Sequence, residues 1–166
     1  MKRMIYLWWG LCLVWMMFPV SLPAQSKAEK KLMRAQMVKE CMESGVFEIE
    51  PRTALTMSGR SIQLSAHYSF KVTKDSVYSY LPYYGRGYSI PYGGGEGLDF
   101  EAKTEKFKQS ITQKGYYEIE FSARTREDYY TFHIEVYDNG SSSIHVNMQN
   151  RQSIDFLGDL VLEKKG

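Results

Sequence analysis

From position 46 onward, apolar side chains recur at every second residue, and this period limits the chain to extended structure with one buried face. Ile62, Leu64, Ala66, Tyr68, Phe70 and Val72 alternate with polar partners, and so do Tyr117, Ile119, Phe121 and Ala123. The pattern returns in Tyr130, Phe132, Ile134 and Val136, and again in Ile144, Val146 and Met148. A slip of one residue turns every side chain to the other face, so each connecting turn can be tested. A three-residue loop at Asp138-Asn139-Gly140 sets Ile134 against Ile144 and Phe132 against Val146, whereas a two-residue loop sets His133 against Val146. A four-residue loop at 125–128 sets Phe121 against Phe132 and Ile119 against Ile134. A loop at Gln113-Lys114-Gly115 sets Phe107 against Phe121 and Ile111 against Tyr117. All three turns agree on one apolar face, and Gly115 and Gly140 supply the positive φ that such turns need.

Segments 46–50, 61–72, 76–81, 98–102 and 153–163 are further strand candidates. Before them, residues 27–44 carry Ala28, Leu32, Ala35, Val38 and Met42 at spacings of three and four, which makes one helical stripe. Ser26 and Glu29 fit a capping box, and Gly45 stands at the usual stop position. The expected fold class is α+β, mainly antiparallel β. Its N-terminal helix packs on a curved sheet or partly closed barrel of about eight strands.

The first 24 residues read differently. Lys2 and Arg3 precede an uncharged apolar run from Met4 to Phe18, then Pro19, Pro23 and Ala24. This pattern predicts a secretory signal peptide over 1–24. The run is short of the roughly 20 apolar residues a spanning helix needs. Cleavage leaves a single domain over 25–166, with a helix at 25–45, a β domain at 46–166 and no transmembrane segment. The expected location is extracytoplasmic, in the periplasm or at the cell surface. The formal net charge of +2 comes from Lys2 and Arg3, so the remainder is neutral and nothing favours nucleic acid as a partner. Cys12 leaves with the leader, and Cys41 then has no partner for an intramolecular disulfide.

Residues 81–100 interrupt the alternation with six glycines, two prolines and four tyrosines in the stretch LPYYGRGYSIPYGGGEGLDF. It is too glycine-rich for a strand interior and too aromatic for a flexible linker. An ordered loop, with packed tyrosines and turning glycines, is expected. Leu81-Pro82-Tyr83-Tyr84-Gly85-Arg86-Gly87-Tyr88 and Pro91-Tyr92-Gly93-Gly94-Gly95-Glu96-Gly97-Leu98-Asp99-Phe100 resemble the hallmark of an uncharacterised family of exported Bacteroidetes proteins, a domain of unknown function. Asn139-Gly140 and Asn150-Arg151-Gln152-Ser153-Ile154 are similar to its C-terminal motifs, and the likeness runs over about 47–161. The resemblance implies an extracytoplasmic single-domain protein. It implies no reaction, cofactor or active-site residue.

Residues 93–97 lack the Gly-Lys-Ser/Thr of a phosphate loop, and no GxGxxG lies between a strand and a helix. No Ser-His-Asp or Cys-His set and no turn-placed carboxylate pair is legible, so the reading leans away from an enzyme and calls for no cofactor. The turn at 138–140 makes His133 and His145 cross-strand neighbours on the polar face, a possible Zn²⁺ or Cu²⁺ site given further ligands. Tyr83, Tyr84, Arg86, Tyr88 and Tyr92, with Asp99 and Arg151, form a candidate ligand surface. Tyrosine offers a flat apolar face and a hydroxyl to a glycan, a peptide or a protein partner. A structural alternative has the tyrosines covering one barrel mouth, with Arg86 paired to Asp99 or Glu96 and Arg151 fixing a strand end. Three functions therefore remain open: a binding module of unknown ligand, a metal-binding protein or metal-assisted hydrolase, and a structural envelope protein.

Overall fold

The computed structural model describes residues 26–88 and 97–162. One helix, α1 (Lys27–Ser44), precedes β1 (Phe47–Thr56), β2 (Ser61–Gln63), β3 (Ser69–Val72), β4 (Ser76–Leu81) and β5 (Leu98–Ile111). Then follow β6 (Tyr117–Arg124), β7 (Tyr129–Val136), β8 (Ser141–Met148) and β9 (Ile154–Leu160). The antiparallel order runs β1-β3-β4-β5-β6-β7-β8-β9, and β9 pairs back onto β1 from Ile49↔Leu160 to Thr56↔Ile154. The result is a closed barrel of eight strands, with β2 as an extra strand on β1. Closure pairs the edges that an open sheet of this length would expose.

The registers expected from the turns are present. Ile134 faces Ile144, Phe132 faces Val146 and His133 faces His145. Phe121 faces Phe132 and Ile119 faces Ile134. Ile111 faces Tyr117, while Phe107 meets Phe121 by ring packing, at 6.0 Å between centroids, across a register shift between Glu105 and Lys108. Lys106 takes φ 55° at this bulge. The extra residue moves the inward set from Phe107 and Gln109 to Thr104, Ala102 and Phe100. Two apparently separate strand segments are thus one 14-residue strand, β5.

The expected single strand over 61–72 is instead two. β2 pairs with Thr53–Leu55 and β3 with Phe47–Ile49, both along the same edge of β1. Between them lies Pro51, and on the other edge, against β9, β1 shifts register between Pro51 and Thr53. Proline has no N–H for a ladder, so regular pairing fails there and the chain leaves the sheet at 64–68. Opposite Pro51 stands Gly158, where a Cβ would lie 2.2 Å from the Glu50 carbonyl oxygen. Only glycine permits that approach.

The lumen is filled rather than hollow. Phe132 packs on Phe121 (4.9 Å between ring centroids) and Phe70 (5.1 Å), and Phe100 stacks on Tyr130 at 4.4 Å. α1 covers the mouth bounded by the 73–75, 112–116 and 137–140 turns. Val38 and Met42 are buried there, and Gln109 Nε2 donates to the Met42 carbonyl at 3.0 Å. Ser26 accepts from the Glu29 amide at 3.2 Å, which is one half of the expected capping box, and Gly45 ends the helix at φ 73°. The stripe is only partly used. Ala28 is exposed and Leu32 is 72% exposed, because the first turns of α1 extend beyond the barrel.

Candidate functional site

The opposite mouth holds most of the candidate surface. β4 ends at Leu81 and β5 begins at Leu98, and residues 82–88 of their connection are described. This stretch is pinned to the β8–β9 connection as a short added strand. The Tyr88 amide donates to the Asn150 carbonyl at 2.7 Å, and the Gln152 amide to the Arg86 carbonyl at 3.0 Å. Gly87 and Arg151 form a bridge between these segments. The Arg86 amide also donates to Gln152 Oε1 at 3.2 Å. Tyr83 Oη lies within hydrogen-bonding reach of the Gln152 carbonyl (3.0 Å) and the Arg86 carbonyl (3.1 Å). Gly85 lets this ring fold back, since a Cβ there would sit 2.1 Å from the Tyr83 hydroxyl.

Beneath the loop lies a polar knot. Arg151 is 4% exposed; its Nη2 pairs with Glu127 Oε2 at 2.8 Å and its Nη1 donates to the Gly97 carbonyl at 2.8 Å. Its guanidinium lies 5.8 Å from the Tyr83 ring centroid. Tyr130 Oη donates to the same Gly97 carbonyl at 3.2 Å. Asp128, also buried, accepts from the amides of Tyr129 (2.8 Å), Gln149 (3.0 Å) and Asn150 (3.1 Å). Asn150 Nδ2 donates to the Glu127 carbonyl at 3.0 Å. A charge removed from water needs this full set of partners. Burial raises the Tyr83 and Tyr130 phenols above their ordinary value, so both remain hydroxyl donors.

The candidate residues therefore divide. Arg151 and Tyr83 face inward and hold the loop. Tyr84 (38%) and Tyr88 (68%) are exposed, as are Arg86 and Asp99. Among the described residues, Arg86 makes no ion pair with Asp99. Tyr92, and Glu96, the expected alternative partner of Arg86, lie outside the described residues. Asp99 is the second residue of β5, where it is the register partner of Tyr80.

His133 and His145 lie elsewhere, on the outer wall of β7 and β8. A single lateral row runs Glu120↔His133↔His145↔Asp155 across four strands. His133 Nδ1 is 3.3 Å from Glu120 Oε1 and its Nε2 is 3.5 Å from Glu118 Oε1, while His145 Nδ1 meets Asp155. Among the described residues, no three His, Cys, Asp or Glu side chains are grouped to hold a metal ion. The histidines engage carboxylates on either flank rather than converging.

Sequence reasoning missed Glu127, Asp128 and Tyr130 as parts of the knot, because only the barrel brings them to Arg151. It also passed over Tyr78 and Tyr80. For these a signal existed: Val77 and Leu81 define the inward face of β4, so the tyrosines between them point out.

The fold and site define a small closed β-barrel capped by a helix at one mouth and by a pinned aromatic loop at the other. The family model described as "Domain of unknown function (DUF4251)" matches residues 29–160, and the chain belongs to that family. Its fold is similar to the crystal structure of a DUF4251 family protein from Bacteroides eggerthii DSM 20697. That likeness has 12% identity and a TM-score of 0.59, and it covers 78% of this chain and 88% of that one. No curated protein matches the chain. Among the described residues, no helix is long and apolar enough to cross a membrane.

Proposed function

We propose that this protein is an exported, non-enzymatic binding module whose contact surface is the outer side of the 82–88 loop. The observation that carries this reading is the contrast within the loop. Tyr83 and the backbone at 86–88 are fixed by hydrogen bonds to 150–152, while Tyr84, Arg86 and Tyr88 stay exposed on that fixed backbone. Exposed tyrosines on a rigid support lose little entropy on binding, and loops held by a scaffold commonly carry recognition. The filled lumen supports a surface contact over an enclosed one. Arg151 supports the loop from beneath and does not touch the ligand. Export through a cleaved leader at 1–24 places the module outside the cytoplasm.

Arrays of glycans and peptides probed with the purified protein, beside Tyr84→Ala and Arg86→Ala, test the surface. Each substitution is expected to weaken binding severalfold without lowering the melting temperature. Binding unchanged by both would remove the contact from this loop. Mass determination of the N-terminus after expression in a bacterial host tests export, with Gln25 expected as the first residue.

A further inference from the structure

The outer wall beside this loop carries an arrangement that the loop reading does not use. β4 points Val77, Ser79 and Leu81 into the barrel and Tyr78 and Tyr80 outward, where they are 41% and 51% exposed. The register places each tyrosine inside a polar row. One row runs Ser69↔Tyr80↔Asp99 and the next Lys71↔Tyr78↔Glu101. Tyr68 leans on Tyr80, with ring centroids 5.6 Å apart. Ser69, Tyr78, Tyr80, Asp99 and Glu101 line a shallow depression of about 400 Å³. Successive outward residues on a strand stand roughly 6.8 Å apart, so the two tyrosines are neighbouring positions on one outer face.

We propose that this wall binds a neutral oligosaccharide, with Tyr78 and Tyr80 as stacking platforms and Asp99, Glu101, Lys71 and Ser69 as hydrogen-bonding rims. The proposal rests on the binding-module reading and adds a ligand class and a place. A pyranose ring has an apolar C–H face and a rim of hydroxyls that both donate and accept. A tyrosine ring matches the face. Glu101 and Asp99 accept from hydroxyls on one side, while Lys71 and Ser69 donate from the other. Two carboxylates against one lysine disfavour an anionic glycan. A peptide cannot add as a strand here, because β4 is already paired on both edges, to β3 and to β5. Asp99 joins the wall to the loop mouth, so one extended chain can reach both surfaces.

The test is calorimetric titration of the purified protein with cellohexaose, xylohexaose and maltohexaose, beside a heparin hexasaccharide and hexalysine. At least one neutral hexasaccharide is expected to bind, and heparin is not. Tyr78→Ala and Tyr80→Ala should each weaken binding about tenfold, as removal of a central aromatic anchor does. Tyr80→Phe keeps the ring and should stay within about threefold. Tyr137→Ala, an exposed tyrosine at the α1 end, is the control and should change nothing. Because all these side chains are exposed, unchanged melting temperatures certify the fold. Saccharide binding weakened by Tyr84→Ala and Arg86→Ala but not by the wall variants overturns this inference and leaves the loop reading standing. The reverse result sustains the wall and removes the loop contact. Failure of all three neutral hexasaccharides to bind, or tighter binding of hexalysine that Glu101→Gln abolishes, overturns the saccharide assignment.

Discussion

At the mouth under α1, Val38 and Met42 close the barrel by apolar contact, and one side-chain bond from Gln109 ties the helix end down. At the far mouth, closure runs through Arg151, Glu127, Asp128, Asn150 and Tyr83, almost entirely by charge-assisted and backbone hydrogen bonds. Both arrangements keep water from the same aromatic core. They differ in what they leave outside. The apolar cap needs only area and tolerates exposed helix turns ahead of Ala35. The polar knot fixes backbone positions to within hydrogen-bond tolerances, and so it can present Tyr84 and Tyr88 in defined places. A binding surface is better served by the second kind of closure.

The comparison predicts a ranking of stabilities. Arg151→Ala should cost the most, about 3–5 kcal/mol, because the Glu127 carboxylate and the Gly97 carbonyl lose a buried cationic partner. Urea denaturation measures it. Arg151→Lys should recover only part of the loss, since an ammonium cannot reproduce the planar two-point contact. Met42→Ala should cost about 2–4 kcal/mol, as truncation of a buried side chain does. If Met42→Ala proved the costlier of the two, the polar mouth would not be the stronger closure.

A smaller effect follows from pH. Tyr83 and Tyr130 have phenols raised above 10.0 by burial. The unfolded chain gives up these protons first, so their contribution is intact below pH 10.0 and declines as pH rises through the folded values. Urea midpoints taken on either side of that pH should fall on the alkaline side, and Tyr83→Phe should flatten the slope. The least effect belongs to Ser26→Ala. The cap sits at the exposed start of α1, and its loss should cost about 0.5–1 kcal/mol at most. Circular dichroism on heating would register it as fraying ahead of the main transition.

Much of the wall was legible from residue order. The pairs Phe132 with Val146, His133 with His145 and Ile119 with Ile134 follow from alternation and turn length alone, because a two-residue period leaves no freedom once a loop is counted. The helix was legible from Ser26 to Gly45 for the same local reason. Alternation failed where the ladder itself fails. The 61–72 segment is split where it passes Pro51, and the bulge at Lys106 lies inside β5, which joins two segments. Each inserts residues that a period cannot anticipate. The site was half legible: the loop composition marked Tyr83, Tyr84, Arg86 and Tyr88, but not which of them would face solvent.

Sequence by itself determined the period, the turns, the helix caps and therefore the identity of the buried face, since these depend on neighbours a few residues apart. Tertiary structure alone decided that β9 returns to β1, that Arg151 is buried against Glu127 and Gly97, and that Tyr78 and Tyr80 stand beside Asp99 and Glu101. Those partners lie tens of residues apart along the chain, and only strand pairing and the closure of β9 onto β1 bring them side by side.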